Sequence, residues 1–207
     1  MEAPSLLERL IPVARRRERE HVVLAAAPER IWEMIRHEDI ARTPVLRTLV
    51  RSSVLPGRAS GKRAGRRLCI DDFRSAPLEP GFQLLADEPP RQFSVGALAR
   101  ANRLRPSFLH FSDIDEFIAF AEPGSLKLAW SASIAPCGSK AMGDGSRLSF
   151  EFRIGATDAA AWRMARWYFG LIGPGMHWVQ RHVLGSFADE LGWPKPRGRA
   201  HPLPLSV

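Results

Sequence analysis

Apolar and polar residues alternate most regularly between positions 125 and 157, and this alternation predicts a β-hairpin. Successive side chains of a strand point to opposite faces, so an apolar residue at every second position gives one buried face. Residues 138–146 separate the two segments and are rich in Gly and Ser, which is typical of a turn. The apolar face consists of Leu126, Leu128, Trp130, Ala132 and Ile134 on the first strand and Leu148, Phe150, Phe152 and Ile154 on the second.

Other strands are predicted upstream of this hairpin. The β-branched segment 20–26 indicates a first strand, and residues 82–102 indicate two strands around a turn at 87–90. Residues 105–111 favour a further strand, and 113–120 a short helix. The sequence therefore predicts an α+β protein with an antiparallel sheet.

One predicted strand carries a row of small side chains on its apolar face. Ala97, Ala99 and Ala101 alternate in step with Phe93 and Val95. Opposite large aromatic residues, such a row leaves space that an ordinary core would fill. The pattern favours a pocket on this face of the sheet.

Helices are predicted at both ends of the sheet. Pro28 and Glu29 suit the first turn of a helix that follows the first strand, and residues 39–49 indicate a second short helix. Residues 56–67, rich in Gly, Ser and Arg, are predicted to form a mobile loop. A helix with Thr157 as N-cap is predicted over 158–191, with a kink near 170–173. Its apolar stripe contains Trp162, Ala165, Phe169, Ile172, Met176, Val179, Val183 and Phe187.

This order of elements, with these residues, resembles the START-like superfamily of helix-grip proteins, also called polyketide cyclase/dehydrase-like. The resemblance is carried by EREHVVLAAAPERIWEMI, GFQLLADEPPRQFSVGAL, FIAFAEPGSLKLAW and the block from RLSFEFRIGAT to HVL. It spans residues 18–191, and within the superfamily it is strongest to a bacterial branch. It implies a curved antiparallel sheet around a long C-terminal helix, with two short helices after the first strand. Residues 1–17 are then a leader, and the Pro-rich residues 192–207 a flexible tail.

Two segments depart from the pattern of that branch. Residues 99–102 read Ala-Arg-Ala-Asn where members tend to carry a Gly-Arg-Phe-Trp-like sequence. Residues 150–153 read Phe-Glu-Phe-Arg where members tend to carry a Thr-Glu-Thr-Arg-like run. Smaller residues in one place and larger ones in the other predict a reshaped pocket.

Composition and charge exclude several classes of function. The chain has 207 residues and a net charge of +8, and residues 15–67 hold 14 Lys/Arg against 6 Asp/Glu. Aromatic residues do not alternate with these charges, so a solvated basic face is favoured over a nucleic-acid site. Two cysteines suit neither a disulfide framework nor a zinc site. With no apolar segment long enough to cross a membrane, the protein is predicted to be soluble and cytoplasmic, without metal or cofactor.

The resemblance implies a binding or carrier protein for a small hydrophobic or amphipathic ligand, lipid- or polyketide-like, held between the sheet and the C-terminal helix. The alternative is an aromatase/cyclase or dehydratase acting on a polyketide-like substrate in the same cavity. Catalytic residues are not identified, and the oligomeric state is open. The predicted ligand-binding residues are Ala97, Ala99, Ala101, Trp130, Phe150, Phe152, Tyr168, Phe169, Ile172 and Met176.

Four polar residues are candidates for chemical roles. Glu151 and Arg153 lie opposite Phe150 and Phe152 on one strand, so they are predicted to face solvent, as is Arg100 on its own strand. His177 follows the predicted kink and would act as an acid or base only if it entered the cavity.

Overall fold

A computed structural model describes residues 5–37, 69–73, 81–101, 107–139, 143–167, 184–185 and 187–191. It shows an α+β fold with one six-stranded antiparallel sheet and helices packed on both of its faces. The strand order is β1-β6-β5-β3-β2, and β4 pairs with β3 beyond the end of β2. The strands are β1 Arg16–Leu24, β2 Gln83–Glu88, β3 Gln92–Arg100, β4 Ser107–Leu109, β5 Ser125–Ser139 and β6 Gly143–Ala156. The helices are α1 Leu6–Leu10, α2 Pro28–His37 and α3 Ile114–Ala119, with a 3₁₀ helix at Ile70–Phe73.

The predicted hairpin forms the centre of the sheet. Strands β5 and β6 pair from Leu126 opposite Ala156 to Ser139 opposite Gly143, so they are longer than the alternation alone indicated. The strands predicted in 82–102 and the short helix predicted over 113–120 are also present, as β2, β3 and α3. These elements follow the local pattern because each has one clearly apolar face.

Strand β1 begins earlier than predicted. It runs from Arg16 to Leu24, and its first residue pairs with Ile154 of β6. The β-branched residues of 20–26 predict only the second part of the strand, and charged residues extend it because they pair with β6. Arg16 donates from Nε to Glu18 Oε1 at 2.7 Å.

The N-cap of the helix that follows β6 is not the predicted residue. Asp158, not Thr157, accepts a hydrogen bond from the backbone N–H of Ala161, at 2.7 Å. Its other carboxylate oxygen accepts from the N–H of Gly124, whose φ of +75° suits the turn before β5. The Thr157 hydroxyl instead contacts the backbone of Ser125. Asp158 therefore joins the start of the following helix to the turn between α3 and β5.

These contacts make Asp158 a source of pH-dependent stability. Hydrogen bonds from the N–H groups of Ala161 and Gly124 lower the pKa of the carboxyl below its ordinary value. A carboxyl with a lowered pKa in the fold stabilises it above about pH 4, and loses that effect as pH falls through the lowered pKa. Asp158→Asn should be less stable than the unmodified protein at pH 7, and the difference in the free energy of urea unfolding should be smaller at pH 3 than at pH 7. An equal difference at both pH values would contradict this role.

The two faces of the sheet carry separate apolar clusters. The inner face, defined by Trp130, Phe150 and Phe152, packs against α2, the 3₁₀ helix and residues near the C-terminus. The outer face, defined by Leu98 and Ala129, is covered by α1 and α3. The leader predicted over 1–17 therefore contains a helix whose Leu7 and Leu10 are almost fully buried. The domain boundary at residue 18 stays a prediction.

The long helix predicted over 158–191 stays a prediction, because the structure describes only parts of that segment. Residues 159–167, 184–185 and 187–190 are helical, and Ala161, Ala165, Leu184 and Phe187 belong to the inner cluster. Outside the described residues lie the predicted kink near 170–173, the helix predicted over 39–49, the loop 56–67 and the tail 192–207. None of the described helices has both the length and the apolar character needed to span a bilayer.

Candidate ligand-binding site

The inner face of the sheet is organised in rows of residues that pair across the strands. One row runs from Glu18 on β1 through Phe152, Trp130 and Val95 to Leu84 on β2. Paired residues on adjacent strands have Cβ atoms about 4.5–5.5 Å apart, so these side chains are neighbours. The row leads from a carboxylate at the sheet edge to an apolar centre.

The neighbouring rows place small and large side chains side by side. Ala97 pairs with Leu128, and Ala99 lies between Leu126 and Phe108. Ala132 lies between two phenylalanines, Phe93 on β3 and Phe150 on β6. The structure thus brings the described members of the predicted site to one face, and they are Ala97, Ala99, Ala101, Trp130, Phe150 and Phe152. Their contact with a ligand stays a prediction.

An aromatic cluster joins the sheet to its helical cover. The rings of Phe93 and Trp130 meet edge to face, with centroids 5.3 Å apart. Trp32 of α2 packs edge-on against Phe93 at 5.9 Å, and Phe73 of the 3₁₀ helix packs against Trp130 at the same distance. Such T-shaped pairs fix ring orientation, and each adds about 0.5–1.5 kcal/mol beyond area burial. The cluster gives this part of the inner face a defined shape.

Solvent reaches only part of the inner face. Ala97 and Ala99 have 0% exposure, so atoms pack against them on all sides. Trp130 and Phe150 are half-buried and keep accessible aromatic surface. We call the residues around that surface, Phe73, Trp130, Phe150 and Phe152, the aromatic patch. This accessible aromatic surface lies on β5 and β6, while Ala101 and Phe108 are also half-buried at the other end of the inner face.

Charged residues of β1 border the aromatic patch. Arg16, Glu18 and Glu20 pair with Ile154, Phe152 and Phe150, which places them on the inner face, where all three are half-buried. Arg16 and Glu18 are not predicted as site candidates because the β-branched pattern starts only at residue 20, and Glu20 has no apolar side chain that would mark its face. Exposed and half-buried positions alternate along RREREHVV, as expected for a strand. Alternation of apolar residues does not reveal this strand, because both of its faces carry charged residues.

The outer face corrects the prediction for Glu151 and Arg153. Both are buried, at 5% and 3% exposure, because α1 lies over them. Arg153 donates to Glu151 at 2.6 Å and to Glu8 of α1 at 2.9 Å, and Arg17 contacts both carboxylates. The backbone N–H of Ser5, together with the Arg153 guanidinium, lowers the pKa of Glu8. The four side chains form an ion-pair network that fastens α1 to the sheet, away from the aromatic patch.

Of the other polar residues that the sequence singles out, the structure describes only Arg100. Arg100 is exposed and pairs with Glu122 at 2.9 Å, as expected for a solvent-facing position. Tyr168, Phe169, Ile172, Met176 and His177 lie outside the described residues. In the described part of the chain, no three His, Cys, Asp or Glu side chains are grouped so that they could hold a metal ion.

Comparisons with known proteins give weak likenesses. No protein-family model matches the chain, and no curated protein does. A conserved protein from Geobacillus kaustophilus aligns over 86% of this chain and 95% of its own, with 8% identity and a TM-score of 0.37. Norcoclaurine synthase from Thalictrum flavum, solved with dopamine and hydroxybenzaldehyde, aligns over 89% and 95%, with 10% identity and a TM-score of 0.33. Likenesses at this level carry no argument about function, which must come from the site.

Proposed function

We propose that the protein binds a small hydrophobic or amphipathic molecule on the inner face of the sheet, at the aromatic patch. The observation that carries this proposal is the half-burial of Trp130 and Phe150, two large aromatic side chains on the inner face of the sheet. Large aromatic side chains that remain accessible between a sheet and its helical cover form the kind of concave apolar surface that small ligands occupy.

The surroundings of the patch support binding. Edge-to-face contacts with Phe73 and Phe93 hold Trp130 in one orientation, so little side-chain freedom is lost when a ligand packs on it. The resemblance to START-like proteins, which hold ligands between sheet and helix, agrees with this location. A binding or carrier role needs no reacting groups beyond those that hold the ligand, and it is the role that we propose.

Binding of an uncharged aromatic probe tests the proposal. The fluorescence of N-phenylnaphthylamine should rise on adding the protein, and Phe150→Ala should weaken binding about tenfold, because a ligand loses an aromatic contact worth about 1.5 kcal/mol. Phe120→Ala is the matched control, since Phe120 is also half-buried but packs on the outer-face cluster. Urea unfolding of both variants separates lost binding from lost folding. Saturable binding that Phe120→Ala weakens and Phe150→Ala leaves unchanged would contradict the proposal.

A further inference from the structure

Glu18 has an unusual environment for a carboxylate on an edge strand. Its side chain is 16% exposed, and it lies on the inner face beside Phe152. Oε1 accepts a hydrogen bond from Arg16 Nε at 2.7 Å. The second oxygen, Oε2, is also buried, and among the described residues no group donates a hydrogen bond to it. A buried acceptor without a donor is costly, and more so on a charged group.

The position of this oxygen relates it to the aromatic patch. Glu18 pairs with Phe152, which pairs with Trp130, so the carboxylate stands at the end of the row that crosses the patch. The terminal torsion of a glutamate side chain is broad, so the carboxylate turns without leaving its rotamer. A molecule lying on Trp130 and Phe152 would present its polar end to Oε2.

The charge balance of the inner edge determines which polar end fits. The Arg16 guanidinium is already directed at Glu18 Oε1. An added carboxylate would meet the like charge and the acceptor oxygen of Glu18, whereas a hydrogen-bond donor, above all a cationic one, would complete the bonding of the Glu18 carboxylate.

We propose that Glu18 Oε2 is the polar anchor of the ligand, which is an amphipathic molecule with an apolar or aromatic body and a hydrogen-bond-donating amine or hydroxyl group. Fatty acids and other carboxylates are poor ligands by this reasoning. The inference rests on the proposed function, and it adds the chemical class of the ligand. No bond is made or broken, because the anchor acts by accepting a hydrogen bond.

Three probes that share one body test this assignment: a naphthalene ring with an aminomethyl, a hydroxymethyl or a carboxylate substituent. Calorimetric titration of the full chain should give the order amine, alcohol, carboxylate, with the amine at least tenfold tighter than the carboxylate. Glu18→Gln should reduce this preference to within about threefold, since a neutral amide neither attracts the amine nor repels the carboxylate. Glu122→Gln, at an exposed pair on the other side of the sheet, should leave the order unchanged.

The outcomes separate this inference from the proposed function. Equal binding of all three probes to the unmodified protein, or an unchanged preference in Glu18→Gln, would overturn the role of Glu18 while leaving the aromatic patch as the site. Failure of every probe to bind would overturn both. If Glu18→Gln does not fold, Glu18→Asp retains the charge but withdraws the oxygen from the patch by one methylene. It should lower the amine preference, and an undiminished preference would overturn the assignment.

Discussion

Arg153→Met should lower the free energy of unfolding by about 3–5 kcal/mol, because it leaves the buried carboxylate of Glu151 without its main partner. Arg153 is 3% exposed and donates to Glu151 at 2.6 Å and to Glu8 at 2.9 Å. Methionine fills much of the same volume, so lost ion pairing rather than an empty space dominates the effect. Urea unfolding followed by circular dichroism measures it.

Two further variants establish that burial causes this loss. Arg100→Met removes the exposed ion pair with Glu122, which at 2.9 Å is as long as the Arg153–Glu8 pair. It should change the free energy of unfolding by less than about 1 kcal/mol. Adding Glu151→Leu to Arg153→Met should recover much of the loss, because it removes the unpaired charge. Equal losses for Arg153→Met and Arg100→Met would mean that the network under α1 is not energetically buried.

The sequence predicted the elements that have one polar and one apolar face. The alternation around Trp130 and Phe152 placed both residues correctly on one face of a hairpin, and the register of β5 and β6 agrees. The row of alanines was also placed on the correct side. The 0% exposure of Ala97 and Ala99 was not predictable, because packing against them depends on residues distant in the sequence. The same applies to the contact of Trp32 with Phe93, which no local pattern encodes.

The main wrong predictions concern the outer face of the sheet, which α1 and α3 cover. The sequence Ser5-Leu6-Leu7-Glu8 matches a capping box, and both of its hydrogen bonds are present in α1. That signal predicts a helix at the N-terminus, where the resemblance implies only a leader. Gly96 and Leu98 of β3 also indicate an outer face that is not polar, and a Cβ at Gly96 would lie 2.5 Å from Leu85. The prediction that Glu151 and Arg153 face solvent is wrong for the same reason. Alternation alone implies that the polar face of a strand is solvated, whereas α1 covers this one.

Whether α1 is part of the folding unit has a direct measure in Leu7→Ala. Leu7 is 1% exposed within the cluster formed with Leu98 and Phe117, and removal of a buried leucine side chain costs about 2–5 kcal/mol. The midpoint of global urea unfolding should therefore fall, with the slope of the transition unchanged. Val13→Ala is the matched control, because Val13 follows the same helix but is 74% exposed, and should change stability by less than about 0.5 kcal/mol.

The form of the transition distinguishes an integral helix from a detachable leader. If α1 unfolds together with the sheet, Leu7→Ala lowers the unfolding midpoint that is measured from the near-ultraviolet signal of the inner-face tryptophans. These tryptophans belong to the inner cluster and Leu7 to the outer one, so the effect would have to be transmitted through the fold. If α1 detaches independently, the global midpoint stays unchanged and only local protection of the α1 amides against hydrogen exchange decreases. We expect the first result, because the buried Arg153 connects Glu8 of α1 to the strand that also carries Phe152. An unchanged midpoint would place the start of the folding unit after α1, near the boundary at residue 18.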